Sequence, residues 1–129
     1  MYTFKKEERL CNKRLIDGLF HNGSSFLCYP FKVSWLAAPA GQTVPVQVVF
    51  AVAKKRYKRA VDRNLLKRRM REAYRLLKQQ ALYDGLSASD KTILLSIGFI
   101  GKEIIDYPTI EKKMLKTLLQ VSTQALAQA

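Results

Sequence analysis

Residues 46–78, VQVVFAVAKKRYKRAVDRNLLKRRMREAYRLLK, decide the fold, because a valine-rich apolar run leads directly into a dense run of cations. The apolar part, residues 46–53, is typical of a central strand that is buried on both faces. The basic part, residues 54–78, holds twelve Lys and Arg against two acids, which gives about +10 of the chain's net +13. Such a charge density calls for a polyanionic partner, and the phosphate backbone of a nucleic acid is the commonest one.

From Asp62 onward the basic part has the periodicity of an amphipathic helix, with Asp62 placed to act as its N-cap. At about 100° per residue, an apolar stripe about 60° wide faces a core, and it consists of Leu66, Met70, Ala73 and Leu77. A cationic arc about 140° wide is formed by Arg63, Asn64, Lys67, Arg68, Arg71, Arg75 and Lys78. Ordinary surface helices mix Glu with Lys, whereas this arc has almost no acids, so it predicts nucleic-acid binding rather than a merely solvated face.

Composition places the chain among small folded proteins. The 129 residues predict a single domain spanning residues 1–129, its basic charge suits an RNA or DNA binder, and 48% apolar residues with 10% aromatics are enough for a real core. No apolar run approaches the length of a bilayer span, and the first residues have no hydrophobic signal core. We therefore expect a cytoplasmic protein with no membrane partner.

The residue types that usually carry catalysis are sparse. Cys11 and Cys28 have neither metal-ligand spacing nor a disulfide framework, which predicts reduced thiols. His21, the only histidine, lies next to a predicted helix end at Gly23 and is not expected to be catalytic. The aspartates show no clustering of the kind that two-metal catalysis needs, and they stand at Asp17, Asp62, Asp84, Asp90 and Asp106.

The remaining patterns supply the other elements. A first helix over residues 13–21 is predicted, capped by Asn12 and ended by Gly23 in a left-handed conformation. Strands are predicted at residues 25–29, 31–35 and 92–97, loops at 37–45 and 85–90, and a last helix with Pro108 in its first turn. The first eleven residues are charged and predicted to be extended.

The order of these elements predicts the fold class. The strand–helix–strand run between residues 46 and 97 favours parallel pairing of its two strands. The predicted architecture is an α/β (α+β) two-layer sandwich, with a sheet of about four strands, about three helices, and a crossover that carries the basic helix.

The residues of this crossover resemble the protein component of bacterial ribonuclease P. The match to the family's signature helix consists of Ala53-Lys54-Lys55, Ala60-Val61-Asp62-Arg63-Asn64, Lys67-Arg68 and Arg71-Glu72-Ala73-Tyr74. Weaker matches elsewhere in the chain are Glu8-Arg9-Leu10, Phe20, Gly23, Phe31 and Ile93-Leu94-Leu95. The chain departs from the signature at Leu65, where the family has arginine.

The resemblance implies a division of labour in removing the 5′ leader from precursor tRNA. The RNA subunit would perform the hydrolysis with bound Mg²⁺, and no side chain of the protein would be catalytic. The protein, one copy per RNA, would bind that RNA through Lys54, Lys55, Arg63, Asn64, Lys67, Arg68 and Arg71. A cleft would hold the precursor tRNA leader against Ile16, Phe20, Lys32 and Ser34.

Alternative functions share the same charge pattern. A ribosomal or other RNA-binding protein without enzymatic activity would be equally basic. A DNA-binding protein would place the basic helix in the major groove, although only Asn64 on the cationic arc is suited to reading bases. A nuclease with its own catalytic side chains is disfavoured by the scattered acids. For Phe20 the sequence leaves two placements open, an exposed cleft or the plain core.

Overall fold

The computed structural model describes residues 4–39 and 41–127, which form one four-stranded mixed sheet and its helices. The prediction that residues 1–11 are extended is wrong at Lys6–Glu8, which form a short 3₁₀ turn, and residues 1–3 of that prediction lie outside the described residues. The strands are β1 (Ser24–Cys28), β2 (Phe31–Ala37), β3 (Val46–Val52) and β4 (Ile93–Phe99). The helices are α1 (Lys13–Asn22), α2 (Ala60–Lys78), α3 (Asp84–Ala88) and α4 (Tyr107–Ala127), with a π-helical turn at Gln79–Tyr83.

The sheet has the order β1-β2-β4-β3. The predicted parallel pairing of β3 with β4 is confirmed, and the other two pairs are antiparallel. The predicted central position of β3 is wrong, because β3 lies at the edge and β4 takes the centre. The outer edge of β3 is partly covered by the N-terminal segment, whose Leu10 amide donates to the Val48 carbonyl at 2.9 Å. That cover reconciles an apolar strand with an edge position.

The main core lies between the sheet and the pair of helices α2 and α4. The predicted stripe of α2 is confirmed at Leu66, Met70 and Ala73, which are fully buried, while Leu77 is half-buried. Tyr74, next to the stripe, is also fully buried and packs edge-on against Phe50 with ring centroids 5.5 Å apart. The fold class is therefore as predicted: an α+β sandwich whose crossover carries the basic helix.

The second face of the sheet is only half covered. Leu19 of α1 packs with Leu10 and Leu94 in a small separate cluster, so α1 covers the part of the sheet around Leu36 and Val49. Beyond α1, the same face continues without a helix over it and carries small side chains. This uncovered half of the face forms the floor of the cavity described below.

Of the three helix ends predicted at Asn12, Gly23 and Asp62, only the first has the predicted structure. The Asn12 cap is confirmed, since its Oδ1 accepts from the amides of Arg14 at 3.0 Å and Leu15 at 3.2 Å. Gly23 is not left-handed: its φ is −76°, and a Cβ there would lie 2.4 Å from the Leu19 carbonyl oxygen and 2.8 Å from that of Trp35. Glycine is needed at residue 23 for close packing of backbones rather than for its conformational freedom.

The prediction that Asp62 is the N-cap of the basic helix is wrong. The helix α2 begins earlier, at Ala60, with Arg59 at the N-cap position and no side-chain cap. Asp62 lies inside the first turn, where a negative charge still interacts favourably with the helix dipole.

The predicted loop at residues 85–90 is also wrong over most of its length. The π-helical turn and α3 continue the helical path through Ala88, because Leu86 is fully buried in the core. Gly85 lets this segment approach α4 closely, since a Cβ there would lie 3.3 Å from atoms of Ser122 and Leu126. Tertiary packing therefore overrides a composition that is typical of a turn.

Candidate nucleic-acid interface

Most of the residues predicted to contact RNA are exposed, either in the turn after β3 or along α2. Lys54 and Lys55 are exposed in the turn, and Asn64, Arg68 and Arg71 are exposed along the helix. Lys67 and Arg63, the other two predicted contacts, are half-buried. This surface, called here the α2 face, consists of Lys54, Lys55, Asn64, Lys67, Arg68 and Arg71.

Arg63 differs from the α2 face, although the sequence placed it there. It is half-buried, and its Nη1 donates to the carbonyl oxygens of Tyr57 and Lys58, both at 2.8 Å. These bonds hold Tyr57 and Lys58, which connect the 54–56 turn to α2, against the first turn of the helix. Its assignment as a direct RNA contact stays a prediction.

Two further arginines of α2 have partners within the protein. Arg69 donates to the Ile105 carbonyl, and Arg75 is paired with Glu72 one turn away. The charge count of the segment therefore overstates the number of cations that face solvent without a protein partner.

Lys78 is the clearest error in the predicted cationic arc. It is 2% exposed and forms a buried ion pair with Glu8, 70 residues away in sequence. Glu8 also accepts from the Tyr83 hydroxyl at 2.6 Å and from the Lys5 amide at 2.6 Å. The pair therefore fastens the N-terminal segment to the far end of α2.

The environment of this pair keeps its acid charged. Burial raises the pKa of Glu8, but hydrogen bonds from Lys78, Tyr83 and the Lys5 amide outweigh it and leave the pKa below its usual value. Burial raises the pKa of both Tyr83 and Tyr74, so the Tyr83 hydroxyl remains a donor to the carboxylate. No such network was predicted, because nothing in the local pattern links Glu8 with residues near 80.

An open cavity of about 340 Å³ lies on the uncovered half of the sheet. Phe20 of α1 lines it and is 58% exposed, so the cleft placement of Phe20 holds and the core placement does not. Lys32 and Ser34 of β2 line the same cavity, and the Ser34 Oγ lies 3.0 Å from the Ser25 Oγ. Ile16, the fourth residue predicted for the cleft, instead packs against the small cluster under α1.

The floor of the cavity was not predicted from the sequence. Ala51, Ser96 and Gly98 line it, and all three have small side chains or none. A Cβ at Gly98 would meet only the carbonyl oxygens of Lys32 at 3.6 Å and Ala51 at 4.0 Å. The signal was present in β4, where Ser96 and Gly98 stand two apart on one face of an otherwise large-residue strand.

Metal-ligand clusters and membrane-spanning helices are both absent from the part of the chain that the structure describes. Among residues 4–39 and 41–127, no three His, Cys, Asp or Glu side chains are grouped so as to hold a metal ion. The helices within those same ranges include none that is long and apolar enough to cross a membrane.

The family model and the similar proteins that match this chain all point to the same family. The model of the family Ribonuclease P matches residues 4–120. The ribonuclease P protein component of Porphyromonas gingivalis is 35% identical over 123 residues, covering 94% of this chain and 88% of the relative. That of Chlorobium phaeobacteroides is 42% identical over 81 residues, covering 60% and 56%.

Solved structures agree in fold. The RNase P protein from Thermotoga maritima matches with a TM-score of 0.70 at 24% identity, covering 88% of this chain and 96% of that one. The RNase P protein of Staphylococcus aureus matches with a TM-score of 0.69 at 16% identity, covering 92% and 97%. At these identities the structures support the fold alone.

Proposed function

The chain belongs to the ribonuclease P protein family and is a subunit of that ribonucleoprotein endoribonuclease, and we propose two contacts through which it acts. Its partner is the ribonuclease P RNA, which carries out the hydrolysis in tRNA processing. The α2 face binds this RNA, and the cavity beside Phe20 binds the 5′ leader of precursor tRNA. Both contacts hold RNA in place, so no side chain of the protein takes part in bond cleavage.

The α2 face is suited to phosphate rather than to base edges. Arg68 and Arg71 lie nearly one turn apart and are exposed, so their guanidinium groups can follow successive phosphates with bidentate hydrogen bonds. Lys54 and Lys55 are exposed in the turn that precedes the helix, and Arg63 bonds to the residues that link this turn to α2. The expected signature is a strong dependence of affinity on salt.

The cavity beside Phe20 is the observation that carries the leader proposal. It combines an exposed aromatic ring, a lysine and a floor of small side chains in one open groove. A single-stranded leader of variable sequence is best held by stacking and charge, which Phe20 and Lys32 supply. The hydroxyls of Ser25 and Ser34 add hydrogen-bonding groups without reading one particular base.

Filling the floor of the cavity tests the leader proposal. The Gly98→Val change adds bulk where a Cβ has only ordinary contacts, so the fold should persist. We expect the holoenzyme to lose affinity for precursor tRNA with a leader and to keep its affinity for mature tRNA. The control is Gly18→Ala on α1, where a Cβ meets nothing within 4 Å.

Removing the aromatic wall provides an independent measurement. Because Phe20 is exposed, Phe20→Ala should melt close to the wild-type temperature, whereas truncating a buried Phe would cost about 3–5 kcal/mol. Loss of one stacked base should weaken leader-dependent binding by roughly 1–3 kcal/mol. If neither Gly98→Val nor Phe20→Ala changes the preference for precursor over mature tRNA, the leader does not lie in this cavity.

Mg²⁺ enters this proposal as a cofactor of the RNA. The donor set of the described residues does not fit a metal ion, and Glu8 and Glu72 are already paired with Lys78 and Arg75. Purified protein should therefore leave precursor tRNA intact, and adding the RNA subunit at low Mg²⁺ should give strong cleavage. Cleavage by RNA-free protein that one acid-to-amide change abolishes would overturn this part of the proposal.

The proposal also includes one protein per RNA, which rests on family membership, and a cytoplasmic location, which rests on the sequence. Light scattering of the reconstituted complex measures the ratio, and fractionation of cells measures the location.

A further inference from the structure

A second, smaller cavity lies where the N-terminal segment crosses the edge of β3. Its volume is about 130 Å³, and Arg9 of the segment and Arg71 of α2 both line it. Its other lining residues are apolar apart from the thiol of Cys11, and they are Phe4, Leu10, Val48, Val49 and Phe50. Two arginines thus line one concave site that has no acid in its lining.

Among the described residues, neither arginine has a carboxylate partner, because the acids next to them in sequence are paired elsewhere. Each has an acid beside it in sequence, but Glu8 is taken by Lys78 and Glu72 by Arg75. The Arg9 guanidinium lies over the Phe4 ring, 5.5 Å from its centroid, which orients the group without neutralising it. The ion pairs of the neighbouring acids therefore leave two positive charges uncompensated at one place.

The N-terminal segment is held firmly on both sides of Arg9. The Glu8 carboxylate is buried with Lys78 and Tyr83, and the Leu10 amide donates to the Val48 carbonyl. The π-helical turn makes the first anchor possible. Five residues in an ordinary α-helix would place Lys78 and Tyr83 about 140° apart, whereas the wider turn brings both to the same Glu8 oxygen.

We propose that Arg9 and Arg71 form a binding site for one phosphate group of RNA, which extends the interface from α2 onto the N-terminal segment. The inference rests on the proposed RNA-binding role of the α2 face. Two guanidinium groups can donate several charge-assisted hydrogen bonds to one phosphate, and arginine suits this geometry better than lysine. Because the buried Glu8 pair fixes the segment in advance, little ordering remains to be done on binding.

The test compares two double variants of the full-length protein. Arg9→Gln and Arg71→Ala should each weaken binding of the ribonuclease P RNA about tenfold. Combined, they should lose less than the product of the two effects, with a salt slope lower by about one phosphate contact. Arg9→Gln with Arg68→Ala should show multiplied effects and lose about two contacts, since these arginines do not share the cavity.

The control for simple loss of charge is Lys116→Ala, an exposed position on α4. An Arg9→Gln variant that binds RNA as Lys116→Ala does, or whose effect multiplies with that of Arg71→Ala, would overturn the shared site. That outcome differs from failure of the proposed function, in which Arg68→Ala too would match Lys116→Ala. Melting temperatures close to wild type for Arg9→Gln exclude unfolding as the cause of weaker binding.

Two binding measurements on the same variants distinguish a phosphate of the RNA subunit from a phosphate of precursor tRNA. Weaker binding of the RNA subunit alone assigns the phosphate to that RNA, which is the expected result because Arg71 belongs to the α2 face. If binding of the RNA subunit is unchanged and only precursor tRNA binds the holoenzyme more weakly, the same site holds a phosphate of the substrate.

Discussion

The two halves of the helical run at residues 60–88 use their cations in opposite ways. In the first half, Arg68 and Arg71 are exposed to solvent, while in the second half Lys78 is 2% exposed and paired with Glu8. All three residues belong to the same cationic arc of the helix. The difference is made by an acid from another part of the chain, which reaches one end of the helix and not the other. A charge on a helical wheel therefore predicts a binding surface only where no distant partner can reach it.

The largest expected effect comes from removing the buried ion pair between Lys78 and Glu8. Lys78→Met leaves the Glu8 carboxylate buried without its cation, which should lower the free energy of unfolding by about 3–5 kcal/mol. The matched change in the exposed half, Arg71→Met, should stay within about 0.5 kcal/mol of wild type. Urea unfolding measures both. Equal stabilities for the two variants would mean that the pair contributes nothing to the fold.

A compensating change separates lost charge pairing from lost packing. Replacing both partners, as in Glu8→Leu with Lys78→Met, removes the stranded carboxylate, so it should recover part of the stability that Lys78→Met loses. A double variant no more stable than Lys78→Met alone would place the cost in packing around the Phe4 ring, which Lys78 also contacts.

The exposed half should respond in affinity rather than in stability. Arg68→Ala and Arg71→Ala should each weaken binding of the RNA subunit about tenfold. Each should also flatten the log–log dependence on salt by somewhat under one unit, because one phosphate contact is lost. Binding at several salt concentrations measures the slope. A double variant with the wild-type slope would show that the RNA lies elsewhere on the protein.

Lowering the pH is a milder way to weaken the buried pair of Glu8 and Lys78, because it protonates the carboxylate. The hydrogen bonds from Lys78, Tyr83 and Lys5 outweigh burial and lower the pKa of Glu8 in the folded protein, so the folded state binds a proton less readily than the unfolded state does. This contribution to stability is complete above the usual pKa of 4.5 and is lost as the pH falls below it towards the folded value. Unfolding measured from pH 6 downward, in wild type and Glu8→Gln, should show a weaker pH dependence in the variant. Parallel curves would mean that another carboxylate causes the acid sensitivity.

Local patterns were enough to predict most of the architecture. The parallel pair β3–β4, the apolar stripe of α2 at Leu66 and Met70, and the Asn12 cap all follow from periodicity or from capping within a few residues. The misses at the edge position of β3 and the burial of Lys78 share one cause. Both depend on the N-terminal segment folding back over residues far along the chain, which no periodicity of either segment encodes.

The candidate site was predictable to a similar degree. Phe20, Lys32 and Ser34 were placed together through a resemblance, and the structure brings them to one cavity, whereas Ile16 serves packing under α1. A helical spacing of four does not separate these roles, because residues 16 and 20 lie only 40° apart on the wheel. Ile16 nevertheless packs on the small cluster, whereas Phe20 is exposed in the cavity. The floor at Gly98 was not predicted, because small side chains such as those of Ser96 and Gly98 carry no charge or aromatic ring that marks a binding surface in the sequence.

The smallest expected effect concerns Arg63, which is neither exposed like Arg68 nor buried like Lys78. It was predicted as an RNA contact, yet its Nη1 donates to the carbonyls of Tyr57 and Lys58. Arg63→Lys keeps the charge but loses the planar fork, so it should lower the free energy of unfolding by about 1 kcal/mol. The matched change Arg68→Lys should leave stability unaltered, because Arg68 is exposed.

The RNA affinity of the same two variants completes the comparison. If Arg63 acts by holding the turn, Arg63→Lys should weaken RNA binding only as far as Lys54 and Lys55 become less ordered, and amide exchange in the turn should rise in parallel. If Arg63 contacts phosphate directly, RNA affinity should fall with no change in amide exchange or in unfolding. The second result would return Arg63 to the α2 face and make its two carbonyl bonds incidental to the fold.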